Sequence, residues 1–354
     1  MADEIKKRKA VAYWLMAGVL MIVVQVLLGG ITRLTGSGLS ITEWKPIMGA
    51  IPPLSEKDWL AAFEKYKQID QFKYINSHFE LSDFKFIFFW EWFHRLWARA
   101  LGVVFAIGFI YFLVRKYFDK GMVIPFIILF ILGAAQGLIG WIMVASGLED
   151  TNLYVNHIKL AMHFMAALVL LCYTLWFALQ LTIPKEKTTE HTRLHNFTII
   201  TIALLAVQLT YGAFMAGLKA AMNAPTWPTI NGMWIPDTLA VESFVNHPIN
   251  VHFMHRQLAY LLATLIIFWY GAARKAASRQ SSPMLSKVAQ WPFILVLLQV
   301  VLGIVTVISA PKTVFGKFGQ FEMLALTHQM VAMFLLISLI VALYVIKPGR
   351  RANT

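Results

Sequence analysis

The sequence is poor in cysteine and in charge. Cys172 is the single cysteine in 354 residues, so no disulfide can form within the chain. Charged residues make up only 14%, where a soluble domain of this size carries about a quarter. Acidic residues are the scarcer sign, 18 against 31 basic, for a formal charge of +13. In their place stand apolar residues, 58% of the chain, with a mean hydropathy of +0.64. That balance excludes an ordinary soluble domain.

The apolar residues gather in eight blocks, at 11–31, 86–114, 122–146, 157–181, 197–217, 251–273, 289–310 and 322–346. Each approaches or exceeds the ~20 residues a helix needs to cross a bilayer core. The first follows Lys6, Lys7, Arg8 and Lys9 as a signal peptide would, but it is too long and lacks a small-residue cleavage site, so it reads as a retained helix. Lys and Arg cluster at 6–9, 115–120, 185–193, 274–287 and 347–351, which are both termini and every second connection. The pattern predicts a multi-pass protein of the bacterial inner membrane with both termini cytoplasmic, and it accounts for the basic charge without nucleic acid.

An internal repeat runs through these blocks. A Q-x-x-x-G element occupies each odd-numbered helix, starting at Gln25, Gln136, Gln208 and Gln299. Each even-numbered helix carries one histidine near its outer end: His94, His163, His255 and His328. The spacing predicts an all-α polytopic fold of two pseudo-two-fold related four-helix bundles, with the axis along the membrane normal. The halves are 1–181 and 197–354, with a cytoplasmic linker at 182–196.

Four histidines at one depth, two per half, point to haem, since histidine is an axial ligand to haem iron and a polar residue inside a membrane marks function. A hydrogen-bonded packing role is the alternative. Zinc lacks cysteine or carboxylate companions at ligand spacing. Arg95 and Arg256 follow two of the histidines, and Arg99 lies one turn below Arg95; all three are candidates for haem propionates, or for snorkelling to water. The glycines of Q-x-x-x-G suit close helix packing, and the glutamines share the histidines' depth, where they can orient a ligand's second nitrogen. His78, His157, His191, His195, His247 and His252 fall outside the pattern and read as solvated or interfacial.

The halves differ at one telling position. Glu91, three residues before His94, is replaced by His252 three residues before His255. A carboxylate there shares the histidine's helix face and is placed to move protons or to bind Arg95. The first half also has the long outer loop 32–85, dense in glycine and proline, which reads as a folded cap. These differences put substrate chemistry in the first half and a resident electron-transfer haem in the second.

Residues 29–40 (GGITRLTGSGLS), 44–49 (WKPIMG) and 91–95 (EWFHR), with His163, His255-Arg256 and His328, resemble the haem A synthase family over nearly the whole chain. The chain is most similar to the type without an outer-loop cysteine pair. The resemblance implies haem O near His94 and His163 and a b-type haem on His255 and His328. It implies a need for Glu91 and oxidation of a ring methyl of haem O to the formyl group of haem A, for cytochrome oxidase. Expected partners are haem O, membrane lipid, haem O synthase and an electron donor, with self-association open. A di-haem, quinol-oxidising cytochrome b is the competing reading, and a transporter a more distant one.

Overall fold

The computed structural model describes residues 2–43, 48–119, 121–149, 152–313 and 318–349. Trp44, Lys45, Pro46 and Ile47 of the 44–49 motif lie outside the described residues. Eight helices are long and apolar enough to span a membrane, as the hydropathy blocks require. They are α1 (Ala2–Leu34), α4 (Leu81–Val114), α5 (Val123–Ala145), α6 (His157–Thr182), α7 (Thr192–Gly217), α8 (Pro248–Arg279), α10 (Gln290–Ser309) and α11 (Gln320–Val345). The chain is a multi-pass, all-α membrane protein.

Several helices outrun their apolar blocks, because polar starts and basic ends do not stop a helix. Asn156 accepts from the amides of Ile158 and Lys159 and so caps α6. Pro248 occupies the first turn of α8, where its missing N–H costs nothing. α7 begins at Thr192, within the stretch read as linker, because His191 Nδ1 accepts from the amide of Leu194 and Leu194 is buried.

The centre is built from α1, α6, α7 and α11, which pack on one another; α4 is the least buried of the eight spans. Trp14 of α1 stacks on Phe105 of α4 with ring centres 5.2 Å apart. Gly108 makes room for it, since a Cβ there would lie 2.4 Å from Trp14 Cε2. Where α11 ends, β1 (Thr189–Glu190) and β2 (Ile346–Lys347) form a short parallel pair that joins the 182–196 connection to the end of α11.

The outer loop holds helices that the hydropathy pattern does not signal, α2 (Glu56–Tyr66) and α3 (Asp70–Tyr74). A capping box between Ser55 and Asp58 starts α2. Phe63 and Tyr66 pack on Phe84, Ile87 and Phe88 of α4, so the loop is a folded cap with its own small core. Tyr66 donates to Gln71 Oε1 and accepts from Asn76, and burial pushes its phenol up to about 12. Gln71 in turn donates to the carbonyl of Leu153 at 3.3 Å, fastening the cap to the connection after α5.

Candidate functional site

All four repeat histidines line one cavity of about 1010 Å³ at the centre of the helices. Each sits against a Q-x-x-x-G element of the preceding span. Gln25 Nε2 lies 3.2 Å from His94 Nδ1, Gln136 Nε2 lies 3.2 Å from His163 Nδ1, and Gln208 Nε2 lies 3.2 Å from His255 Nδ1. Gln299 Nε2 lies 3.2 Å from His328 Nε2. The paired glycines, Gly29, Gly140, Gly212 and Gly303, bring backbone against the same rings: a Cβ on any of them would stand 2.7–3.3 Å from the ring Cε1.

The imidazoles of His255 and His328 stand edge to face, with ring centres 6.3 Å apart and planes crossing at 72°. Two imidazoles sharing one metal ion, each ~2 Å from nitrogen to metal and roughly 1 Å more to the ring centre, stand ~6 Å apart. The pair therefore fits a metal held between them within a cavity large enough for a macrocycle. The Oε1 atoms of Gln25, Gln136, Gln208 and Gln299 are buried without a partner, so acceptors are ready beside each ring. Haem fits this donor set; among the described residues no cluster of His, Cys, Asp and Glu suits a bare metal ion.

Glu91 is buried and hydrogen-bonded through both carboxylate oxygens. Its Oε1 accepts from Arg95 Nη2 at 2.5 Å, and its Oε2 accepts from Ser40 Oγ at 2.7 Å and from the amide of Ile41 at 2.9 Å. Arg95 also donates to the carbonyls of Ile41 and Glu43. The 29–40 and 91–95 motifs are thus two sides of one joint. The turn is set by Gly36, at φ +69°, with Ser37 N donating to the Thr32 carbonyl; it delivers Ser40 and Ile41 to the carboxylate. The salt bridge to Arg95 is the one anticipated as an alternative to a free carboxylate.

Arg256 is fully engaged in another way. Nε donates to His252 Nε2 at 3.0 Å, Nη1 to the carbonyls of Pro228 and Thr229, and Nη2 to those of Ala224 and Thr226. All five of its N–H groups are committed, so its geometry is that of a clamp on the outer loop 224–229 rather than a carboxylate receptor. His252, expected to be solvated, is 2% exposed because it is the acceptor for this clamp. Arg99 lines the cavity one turn below Arg95.

Two cations missed in the sequence complete the lining. Arg33, in the last turn of α1, is half-buried at the cavity with no described partner for its guanidinium. Lys219 follows α7, with its Nζ 3.5 Å from the centre of the Tyr154 ring; burial and the nearby Arg33 lower its ammonium to about 8. The described lining holds five cations, Arg33, Arg95, Arg99, Lys219 and Arg256, against two carboxylates. Of these, Glu91 is paired and Glu322 accepts from the amide of Gly319 at the start of its own helix. The surplus suits a ligand carrying carboxylates.

Residues 12–340 match the family of cytochrome oxidase assembly proteins, COX15-CtaA. The chain is 36% identical to a haem A synthase of Flavobacterium johnsoniae over 341 residues, covering 94% of this chain and 96% of the relative. The chain belongs to the haem A synthase family. Its similarity to the haem A synthase of Paracoccus denitrificans is 38% over 342 residues, 93% of this chain and 86% of the relative. A second flavobacterial haem A synthase, from Flavobacterium psychrophilum, is 38% identical over 325 residues, 89% of this chain and 94% of the relative. The matched residues 12–340 include all four repeat histidines.

Proposed function

We propose that this chain oxidises a ring methyl of haem O to the formyl group of haem A, with haem O held by His94 and His163 in the first half. A b-type haem is held by His255 and His328 in the second, the two halves being related four-helix bundles. The neighbouring imidazoles of His255 and His328, with ring centres 6.3 Å apart in a haem-sized cavity, carry this reading. Bound haem iron supplies the redox chemistry, which protein side chains alone lack.

The chain's own residues bind, orient and enclose. Arg33 and Lys219 supply positive charge for propionates, while Arg95 and Arg256 fix the two outer loops that roof the cavity. Glu91 positions the outer loop through Ser40 and Ile41, and any proton it moves passes within that joint.

A difference between the halves supports placing the substrate in the first. α8 and α10 pack along each other, whereas α4 and α5 pack mainly on α1 and α6 and meet each other through the rings of Phe105, Phe109, Phe126 and Phe130. Phe105 and Phe130 meet at 4.6 Å toward the inner side. Outward of them a Cβ on Gly102, Gly133 or Gly137 would meet nothing within 4 Å. By the repeat, Gly133 and Gly137 correspond to Val296 and Val300. The resulting cleft leaves space for the long isoprenoid chain that distinguishes haem O from haem B. The inner membrane, with both termini cytoplasmic, is the location that the basic clusters favour. Haem O synthase and an electron donor are the partners this chemistry calls for, and self-association is compatible with the exposed faces of α4.

The decisive experiment expresses the chain with and without a source of haem O and identifies the extracted pigments by chromatography and mass. Haem A formed only when haem O is supplied is the expected result. Haem B alone, in folded protein with haem O present, would instead indicate an electron-transfer cytochrome.

A further inference from the structure

The same slot is built four times. In three copies the glutamine amide reaches both the ring and the histidine's own main chain: Nε2 donates to the carbonyl oxygens of His94 at 3.3 Å, His163 at 3.1 Å and His255 at 3.1 Å. Four residues on, one turn further along the same face, the glycine's backbone closes on ring Cε1. An imidazole between an amide and a backbone wall cannot swing about its Cβ–Cγ bond without losing the amide or striking the glycine. Packing alone would be satisfied by any small residue and needs no glutamine at this depth, where a polar group is costly.

We propose that each Q-x-x-x-G element is an imidazole-orienting slot, and that Gln208 and Gln299 hold His255 and His328 at their 72° crossing when haem is bound between them. The glutamines are positioning residues, and the proposal rests on the haem reading above. The amide offers both a donor and an acceptor, and Oε1 is without a partner in every copy. Turned end for end, the amide oxygen lies beside Nδ1 of His255 and beside Nε2 of His328, where it accepts the N–H of a neutral imidazole bound to metal through its other nitrogen. Four slots thus give four rings an orientation set by the spans that precede them rather than by the haem.

The crossing angle of two axial imidazoles has its own spectroscopic consequence. Near-perpendicular planes leave two iron d orbitals almost degenerate, and the oxidised low-spin haem then shows one very large g value. Parallel planes split those orbitals and give a compact three-line spectrum.

The test uses the full-length protein purified with its resident b-type haem, oxidised, and examined by electron paramagnetic resonance together with haem content. The native protein is expected to show the strongly anisotropic signal, and Gln208→Glu, which keeps the length and the acceptor, to preserve it. Gln208→Leu is expected to move the large g value toward the compact spectrum and to weaken haem retention by roughly tenfold or more, the usual loss for an outer-shell partner. Should Gln208→Leu retain too little haem, Gln299→Leu reads the opposite ring with the same expectation. Leucine variants that load haem normally and keep the native spectrum would overturn the proposal. A native protein whose haem signal survives loss of both His255 and His328 would overturn the haem reading itself.

Discussion

Glu91 and Arg95, four residues apart on α4, form a buried ion pair whose carboxylate also takes hydrogen bonds from Ser40 and Ile41. Removing one partner of such a pair strands the other charge, at a cost of about 3–5 kcal/mol when burial is complete. Glu91→Ala is therefore expected to loosen the segment 36–43 and expose it to protease, besides abolishing haem A formation. Glu91→Gln, which keeps the length, should leave the segment protected while still losing activity. A Glu91→Ala protein as protease-resistant as the native one would refute the joint.

The two histidine pairs should separate by pigment. His255→Ala and His328→Ala are expected to lose the b-type haem, while His94→Ala and His163→Ala should keep that haem and lose conversion of haem O. Pigment extraction from each purified variant reads the result directly. Loss of b-type haem from the His94 variant would reverse the assignment of the halves.

The parting of α4 and α5 predicts a selective lesion. Gly133→Val with Gly137→Val gives α5 the residues that the repeat places on α10, and the added methyls enter open space. Haem O loading is expected to fall severalfold with haem B content unchanged, as measured by the ratio of the two in extracts. Equal loss of both would point to general misfolding of the bundle.

Lys219 predicts a pH dependence of ligand binding. Burial and Arg33 lower its ammonium to about 8, so the positive charge is present below that pH and is lost above it. Binding of a carboxylate-bearing haem should weaken as pH passes through about 8, with Arg33 and Tyr154 the groups facing the titrating lysine. Haem titrations at about pH 7 and pH 9 should differ in the native protein and coincide in Lys219→Met. A difference that persists in the variant would assign the effect elsewhere.

Gly108 offers a test of the packing between α1 and α4. An alanine methyl would lie 2.3 Å from Trp14 Nε1, inside contact distance of a ring held by three aromatic neighbours. Gly108→Ala is expected to destabilise by about 1–3 kcal/mol, the range for overpacking, and to lower the thermal unfolding midpoint. Trp14→Phe in the same background should recover part of the loss.

The eight spans were legible because bilayer thickness fixes the length of an apolar run, and the basic clusters mark their alternate ends. The repeat was legible because glutamine and histidine are conspicuous among aliphatic residues, and their spacing survives changes elsewhere. Helices α2 and α3 were not, since their amphipathic turns lie in a segment of mixed composition and are held by contacts with α4. The loop contacts of Arg95 and Arg256 were not legible for a related reason: a sequence places an arginine on a helix but does not reveal which carbonyls a loop will bring to it. His252, read as solvated or interfacial, is buried because it accepts from Arg256. Arg33 was visible within the 29–40 motif, but only the fold aims it at the cavity.

The short strand pair fastens the start of α7 to the end of α11, and the last span is also held to the first half, by Trp176 against Tyr344 at 5.1 Å and by Gln329 Nε2 donating to the carbonyl of Val26 at 3.3 Å. Whatever duplication produced the repeat, its two products are now laced together at the seam. A chain cut within 182–188 would be expected to yield two pieces that recognise each other rather than two autonomous proteins. Spans from both sides of the cut line the one cavity that holds the four histidines, so either piece alone would lack part of its walls.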